Sequence, residues 1–368
     1  MKNLFKIASL LSAAVMLFAC DEPQGNDPVV EGEFSIVADR DVIQSNGTDA
    51  ALIKVFVGET DVTADAVIYD ENNNVLNLAG GKFTATEDGE YKFWATYGTY
   101  SSFDKNKDDN GLITVRAISV AVPETVADPQ SSNTSFVHRA FLTQYTGTGC
   151  GYCPYMIKIL KELMADKTIP EKAVLAAVHS YSNADPAYIS APRVQNYPFM
   201  HVNFEYGFSH SSGSAALYSL VNDCVSTDAK AGISVNSKLY ESEGTIVAKV
   251  AVKAAVDGNY RVGAWLLEDD IYGQQSDYDN IGDSSFNTHE SCVRLIDSRY
   301  DGSWCGKPLG AIKAGETAEK TFVLDVKKTW EKENLHLAII VSSEEKAGYV
   351  VCNVVDVPLD VPTPFDYK

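Results

Sequence analysis

FLTQYTGTGCGYCP, Phe141–Pro154, is the stretch that decides how this chain is read. Arg139–Tyr145 is a strand candidate. Beyond it, from Pro154 to Asp166, the apolar residues Met156, Ile159, Leu160, Leu163 and Met164 recur at helical spacing and give one apolar stripe. Ala173–Val178 (AVLAAV) is a continuous apolar run of the kind buried on both faces of a parallel sheet. Strand, helix and strand form a βαβ unit, and Cys150 and Cys153 fall where its helix begins. A cysteine there meets unsatisfied N–H groups and the positive end of the helix dipole, which favour thiolate over thiol. The expected chemistry is attack by Cys150 on a disulfide and resolution of the mixed disulfide by Cys153. The pair should therefore face solvent. Gly151 and Tyr152 hold the turn, and Pro154 suits a first helical turn, where no amide donor is needed.

Working outward, the first residues divide into zones. Met1–Lys6 carries Lys2 and Lys6, and Ile7–Phe18 is apolar but too short to span a bilayer as a stable helix. Leu17-Phe18-Ala19-Cys20 is a lipoprotein cleavage pattern, so residues 1–19 are expected to be a signal peptide and Cys20 the lipidated residue of an exported protein. The competing reading is an ordinary signal peptide that contains a cysteine. Residues 20–32, polar and Pro-containing, read as a tether. The formal charge of −20 argues against nucleic acid or anionic lipid as partner, because phosphate binding needs a basic footprint. Export places the remaining cysteines where disulfides persist.

Residues 33–120 alternate with period two, as in Ile53-Val55-Val57 and Tyr91-Phe93-Ala95, with turn pairs such as Asn46-Gly47 and Asp88-Gly89. This suggests a β-sandwich, with Tyr91 as a corner tyrosine and Phe93 where an inter-sheet cysteine would otherwise stand. A linker, Pro123–Ser135, leads to the βαβ segment. That segment continues with a strand over Phe199–Phe204 and a helix over about Ser214–Ser226. From Ala231 alternation returns (Ile246-Ala248-Val250-Val252, Tyr260-Val262-Ala264-Leu266), which suggests a second sandwich with a polar loop at about Gly273–Asn287.

FLTQYTGTGCGYCP, with NYPFMHVN downstream, makes residues 136–228 resemble a thioredoxin fold. The whole chain resembles the twenty-eight-kilodalton outer-membrane-protein-related lipoproteins. The resemblance implies an immunoglobulin-like domain (33–120), a thioredoxin-like α/β domain (136–228) and a C-terminal β-sandwich (229–368), a multidomain α/β plus all-β chain. It implies an outer-membrane lipoprotein of the cell envelope, periplasmic or surface-facing, and a cis-proline at Pro198. With Tyr197 and Tyr152, Pro198 would shape a substrate groove beside the dithiol. Three departures bear on activity: Gln144 replaces the buried carboxylate six residues before the first cysteine, Gly149 replaces the usual tryptophan, and the second strand of the final hairpin has little room before the helix at Ser214.

Three readings of Cys150/Cys153 stay open: a redox-active pair acting on exported protein thiols or disulfides, a permanent structural disulfide, and a thiolate–imidazole metal site that recruits His179 or His201. The rival to an exchange enzyme is a surface-binding, adhesin-like lipoprotein that uses its β-sandwiches on an unknown ligand. Cys224 falls on a helix's apolar face as a core residue, and two of Cys292, Cys305 and Cys352 are expected to bridge. Asn106–Gly111 and Asp277–Gly282 imitate half a calcium loop but have no Glu at the twelfth position, so they read as solvated turns. No Gly-rich phosphate loop, H-E-x-x-H or G-x-S-x-G motif is present, so no cofactor is expected.

Overall fold

The computed structural model describes residues 32–107, 110–191, 194–297 and 304–368. The signal peptide, Cys20 and most of the tether lie outside the described residues, as do Asp108 and Asp109 of the first calcium-like loop. The described chain is mostly β-structure, in several sheets.

Residues 34–118 form a four-stranded and a six-stranded sheet. Alternation does the sorting: in Ala51–Val57 every second residue is buried. Ile43, Ile53, Val55, Phe93, Ala95 and Val115 form the core between the sheets. The Tyr91 hydroxyl donates to the Glu87 carbonyl at 3.0 Å, four residues upstream. Phe93 is buried and packs edge-on to Phe83.

The second part is built on β1 (Ala140–Thr146), α1 (Cys153–Met164), β2 (Ala173–His179), β3 (Phe199–Val202), β4 (Tyr206–Phe208) and α2 (Ser214–Val225). β1 and β2 run parallel, β3 is antiparallel to β1, and β4 is antiparallel to β3, giving the order β4-β3-β1-β2. Met156, Leu160 and Leu163 of α1 pack with Leu142, Met200, Leu217 and Val221 into one core.

The sheet does not end at β2. It continues through β6 (Cys292–Asp297) to β5 (Gly258–Glu268), β7 (Leu335–Glu345) and β8 (Gly348–Pro358), and with Lys307–Ile312 it has nine strands among the described residues. The join is one residue wide, pairing Ala177 with Cys292. Packing reinforces it: Trp265 of β5, 1% exposed, meets Phe141 of β1 edge-on at 5.3 Å and Phe204 at 5.9 Å. On the opposite face, Val262, Leu266, Leu337 and Ile339 pack against a three-stranded sheet of Ala231–Tyr240, Thr245–Ala254 and Thr317–Asp325. The chain ahead of β1 is tied to this sandwich: buried Lys253 binds Asp128 at 2.9 Å and the Gln130 carbonyl at 3.2 Å.

The second bridge expected among the C-terminal cysteines does not form. Cys352 faces the sandwich core, Cys292 faces the other way into a cluster with Ala187 and Ile271, and Cys305 donates to the Tyr349 carbonyl. Cys292 and Cys352 thus lie on opposite sides of one sheet. Cys224 is only partly buried against its core.

His336 of β7 sits between Asp356 at 2.5 Å and Asp269 at 3.4 Å. Burial alone would lower its pKa, but the bonds to Asp269 and Asp356 push it up to about 9. A raised folded-state pKa gives stability that is complete below about 6.5 and is lost as pH rises through about 9. Denaturant titration is expected to show a loss of about 2–3 kcal/mol between pH 6 and 10. His336→Gln should lack that component.

Candidate functional site: a covered disulfide at a helix start

Cys150 and Cys153 are joined by a disulfide at the junction of β1 and α1. The Cys153 N–H donates to the Cys150 carbonyl, closing the turn, and Pro154 occupies the first turn of α1. β1 pairs with β3 so that Tyr145 lies opposite Phe199, which brings Pro198 beside Thr146, four residues before Cys150. The Tyr197–Pro198 bond is cis, Pro198 is buried, and the Tyr197 hydroxyl is bonded to Ser180 at 2.8 Å. Tyr152 is 52% exposed.

The pair does not face solvent as its position implied. Cys150 is 3% exposed and Cys153 is fully buried. Two tyrosines crowd the glycines around them. A Cβ on Gly147 would come within 2.7 Å of Tyr181 Cβ, and one on Gly151 within 2.5 Å of the Tyr278 ring. Tyr181 meets Tyr197 edge-on at 5.3 Å, and Tyr278 meets Tyr152 edge-on at 5.3 Å. Four tyrosines thereby bracket the loop Gly147–Tyr152.

Tyr278 comes from the polar loop of the C-terminal half. The Ser276 N–H donates to the Thr148 carbonyl at 2.7 Å, and the Tyr278 N–H to the Gly151 carbonyl at 3.1 Å. The Gln275 amide, buried, lies 3.0–3.3 Å from the carbonyls of Gly147, Thr148 and Cys150. The Tyr155 hydroxyl donates to Asp279 at 2.9 Å. Asp277–Gly282 is therefore no free turn; it is bound across the start of α1.

Behind the loop lies a buried polar chain. Asp185 accepts from the Thr148 N–H at 2.6 Å, the Thr148 hydroxyl at 3.0 Å and the Ala187 N–H at 2.8 Å, and it is bonded to His179 Nδ1 at 3.0 Å. Burial would raise its pKa, but the bonds from His179, Thr148 and Ala187 outweigh that and hold the carboxyl well below the usual range. His179 Nε2 lies 3.6 Å from Cys292 Sγ. Burial drives the Cys292 thiol far upward, so it remains a neutral donor and a poor nucleophile.

His179 is thus committed to Asp185 and Cys292 and is not turned to the dithiol. His201 packs edge-on against Tyr145 and Phe199. Among the described residues no group of three or more His, Cys, Asp or Glu could hold a metal. Cys150, Cys153, Tyr152, Tyr197 and Pro198, the residues expected at the site, all lie at this junction. Sequence pattern missed Asp185, Tyr181, Gln275 and Tyr278. Their one trace was the alternation of glycines at 147, 149 and 151.

Residues 185–362 match the family model described as outer membrane protein Omp28. The match begins at Asp185 and takes in Pro198 and the loop that covers the disulfide, but not the cysteines themselves. It places the protein in the cell envelope, at the outer membrane. A solved structure, HBP35 of Porphyromonas gingivalis, is similar at a TM-score of 0.50 with 16% identity, covering 63% of this chain and 78% of that chain. A domain of the outer membrane lipoprotein Omp28 from Porphyromonas gingivalis aligns at a TM-score of 0.25 with 16% identity, over 37% of this chain and 90% of that one. No curated protein sequence matches.

Proposed function

We propose, from the premise that residues 185–362 are of the Omp28 outer-membrane family, that the chain is a lipoprotein anchored through Cys20 that carries out thiol–disulfide exchange on exported proteins. Residues 136–228 would be its thioredoxin-like module and 33–120 an immunoglobulin-like one. The order β4-β3-β1-β2, with a helix between the parallel strands, supports the first assignment, and the Tyr91–Glu87 bond supports the second. Among the described residues no helix is long and apolar enough to cross a membrane.

The single observation that carries the exchange reading is the Cys150–Cys153 disulfide, set where β1 hands over to α1 with Pro198 beside the strand's last residue. From this oxidised state, a substrate thiolate attacks Cys150 Sγ. The Cys150–Cys153 bond breaks, and Cys153 leaves as a thiolate close to the N–H groups of the first turn. A second substrate thiolate then attacks the mixed disulfide. Two electrons pass to the pair, and the substrate gains one disulfide. Tyr152 and Tyr197 would line the path by which the substrate arrives. With no buried carboxylate at Gln144, proton delivery to Cys153 falls to solvent, and turnover should be slow.

A second reading is favoured by the burial of both cysteines: the bridge is permanent, and the β-sandwiches bind an unknown surface ligand. Cys150→Ser distinguishes the two. Exchange predicts that oxidation of a reduced test protein by the purified chain falls to the background rate in this variant. An unchanged rate removes the activity and leaves the scaffold reading.

A further inference from the structure

The loop over the disulfide is attached unevenly. Its inner end is fixed: the Gly273 N–H donates to the Asn287 carbonyl at 2.8 Å, His289 Nε2 is bonded to the Gly273 carbonyl at 2.9 Å, and the Gln275 N–H donates to Asn287 Oδ1 at 2.9 Å. A Cβ on Gly273 would come within 2.8 Å of Pro186 and of the Thr148 methyl, so that end is wedged in place. The outer end is held by less. Tyr278 is 65% exposed and Asp279 is exposed; the Tyr155–Asp279 bond lies at the surface, and the Tyr278 N–H reaches buried Gly151 from an exposed residue. Between the two ends sits Gln275, whose amide has two hydrogens for the three loop carbonyls it faces and whose Oε1 has no partner. Surface-exposed bonds of this kind open at low cost compared with a core.

The manner of binding is also informative. Ser276 and Tyr278, alternate residues of the strap, donate main-chain N–H groups to the Thr148 and Gly151 carbonyls of the dithiol loop, and the Tyr278 ring lies on Gly151. Main-chain donors satisfy loop carbonyls here, a contact that any extended peptide segment can offer whatever its side chains.

We infer that Gly273–Gly282 is a strap, an intramolecular occupant of the dithiol loop that must lift before a partner sulfur reaches Cys150. This rests on the exchange reading and adds its regulation: the C-terminal half keeps the pair closed, and a substrate segment that makes the same main-chain bonds competes for the loop. The hinge lies at Gln275, whose main-chain N–H belongs to the fixed end and whose side chain reaches the dithiol loop. The two halves of the nine-stranded sheet thereby meet functionally as well as structurally.

The test follows reduction of the oxidised full-length chain by dithiothreitol, quenched by alkylation and read by mass. The reductant's thiolate attacks the pair, its second thiol closes a six-membered disulfide, and the chain gains two thiols. In the wild-type chain the rate should level off at high reductant, at the rate of strap opening. Gln275→Ala and Tyr278→Ser should each raise that plateau about tenfold, the effect of losing roughly one buried hydrogen bond or ring contact. A wild-type rate that stays linear in reductant, with both variants reduced at the same rate, overturns the strap. Amide hydrogen exchange at Ser276 and Tyr278 decides the matter without any variant: exchange at the plateau rate supports gating, and protection that outlasts reduction contradicts it. Since no protein substrate takes part, a gated pair that oxidises nothing would sink only the exchange reading.

Discussion

Asp185→Ala is expected to destabilise the protein by about 3–5 kcal/mol, because it removes a buried carboxylate that accepts several hydrogen bonds at once and leaves their donors unpaired. Its side chain is fully buried beside His179, and it accepts from Thr148, Ala187 and the imidazole at once. The substitution leaves a buried N–H on each side with no acceptor, and each such orphan costs about 1–3 kcal/mol. The Thr148 amide lies two residues before Cys150, so the dithiol loop should loosen as well. Denaturant unfolding measures the first effect, and faster reduction of the disulfide measures the second. Asp185→Asn keeps the acceptor for Thr148 and should recover a large part of both. A loss below about 1 kcal/mol would mean that the chain Thr148–Asp185–His179 contributes little to holding the loop.

Trp265→Ala is expected to cost about 3–5 kcal/mol, as large-to-small changes of buried aromatics do. The reason lies in the join between β2 and β6. One residue pair links the strands there, so backbone bonding alone is a weak connection. Trp265 contacts Phe141 and Phe204 from the first half while sitting on the central strand of the second. Its loss opens a cavity shared by both halves. Unfolding should then separate into two transitions where the wild type shows one, seen by circular dichroism and by differential scanning calorimetry. Trp265→Phe, which keeps a ring in the gap, should behave closer to the wild type. A single transition shifted by less than about 1 kcal/mol would show that the halves hold together by other means.

Local signals in the sequence carried well. The apolar stripe expected over Pro154–Asp166 is α1, shifted by a residue or two at its ends, because Met156, Leu160 and Leu163 had a core to face. The strand Ala173–Val178 is buried on both faces, as its unbroken apolar run required. The βαβ order put Cys150 and Cys153 at the start of the helix, and the place of Pro198 beside them came from the thioredoxin resemblance. What stayed hidden came from long range. Gln275 and Tyr278 bind the dithiol loop from more than a hundred residues away, and nothing local in a polar Asp/Asn/Gly-rich segment distinguishes a strap from a solvated turn. The expected bridge among Cys292, Cys305 and Cys352 failed for a related reason: pattern shows that cysteines share a β region but not which face of the sheet each one takes. The dithiol is covered where its position implied exposure, because a helix start is open only if no other segment docks on it.

The central claim is that a working exchange pair lies beneath the strap, and its most direct test is a redox titration of Cys150/Cys153 in glutathione buffers. The account predicts a midpoint between roughly −270 and −120 mV, the span occupied by proteins that exchange disulfides. A midpoint below about −300 mV would mark a structural bridge and contradict it.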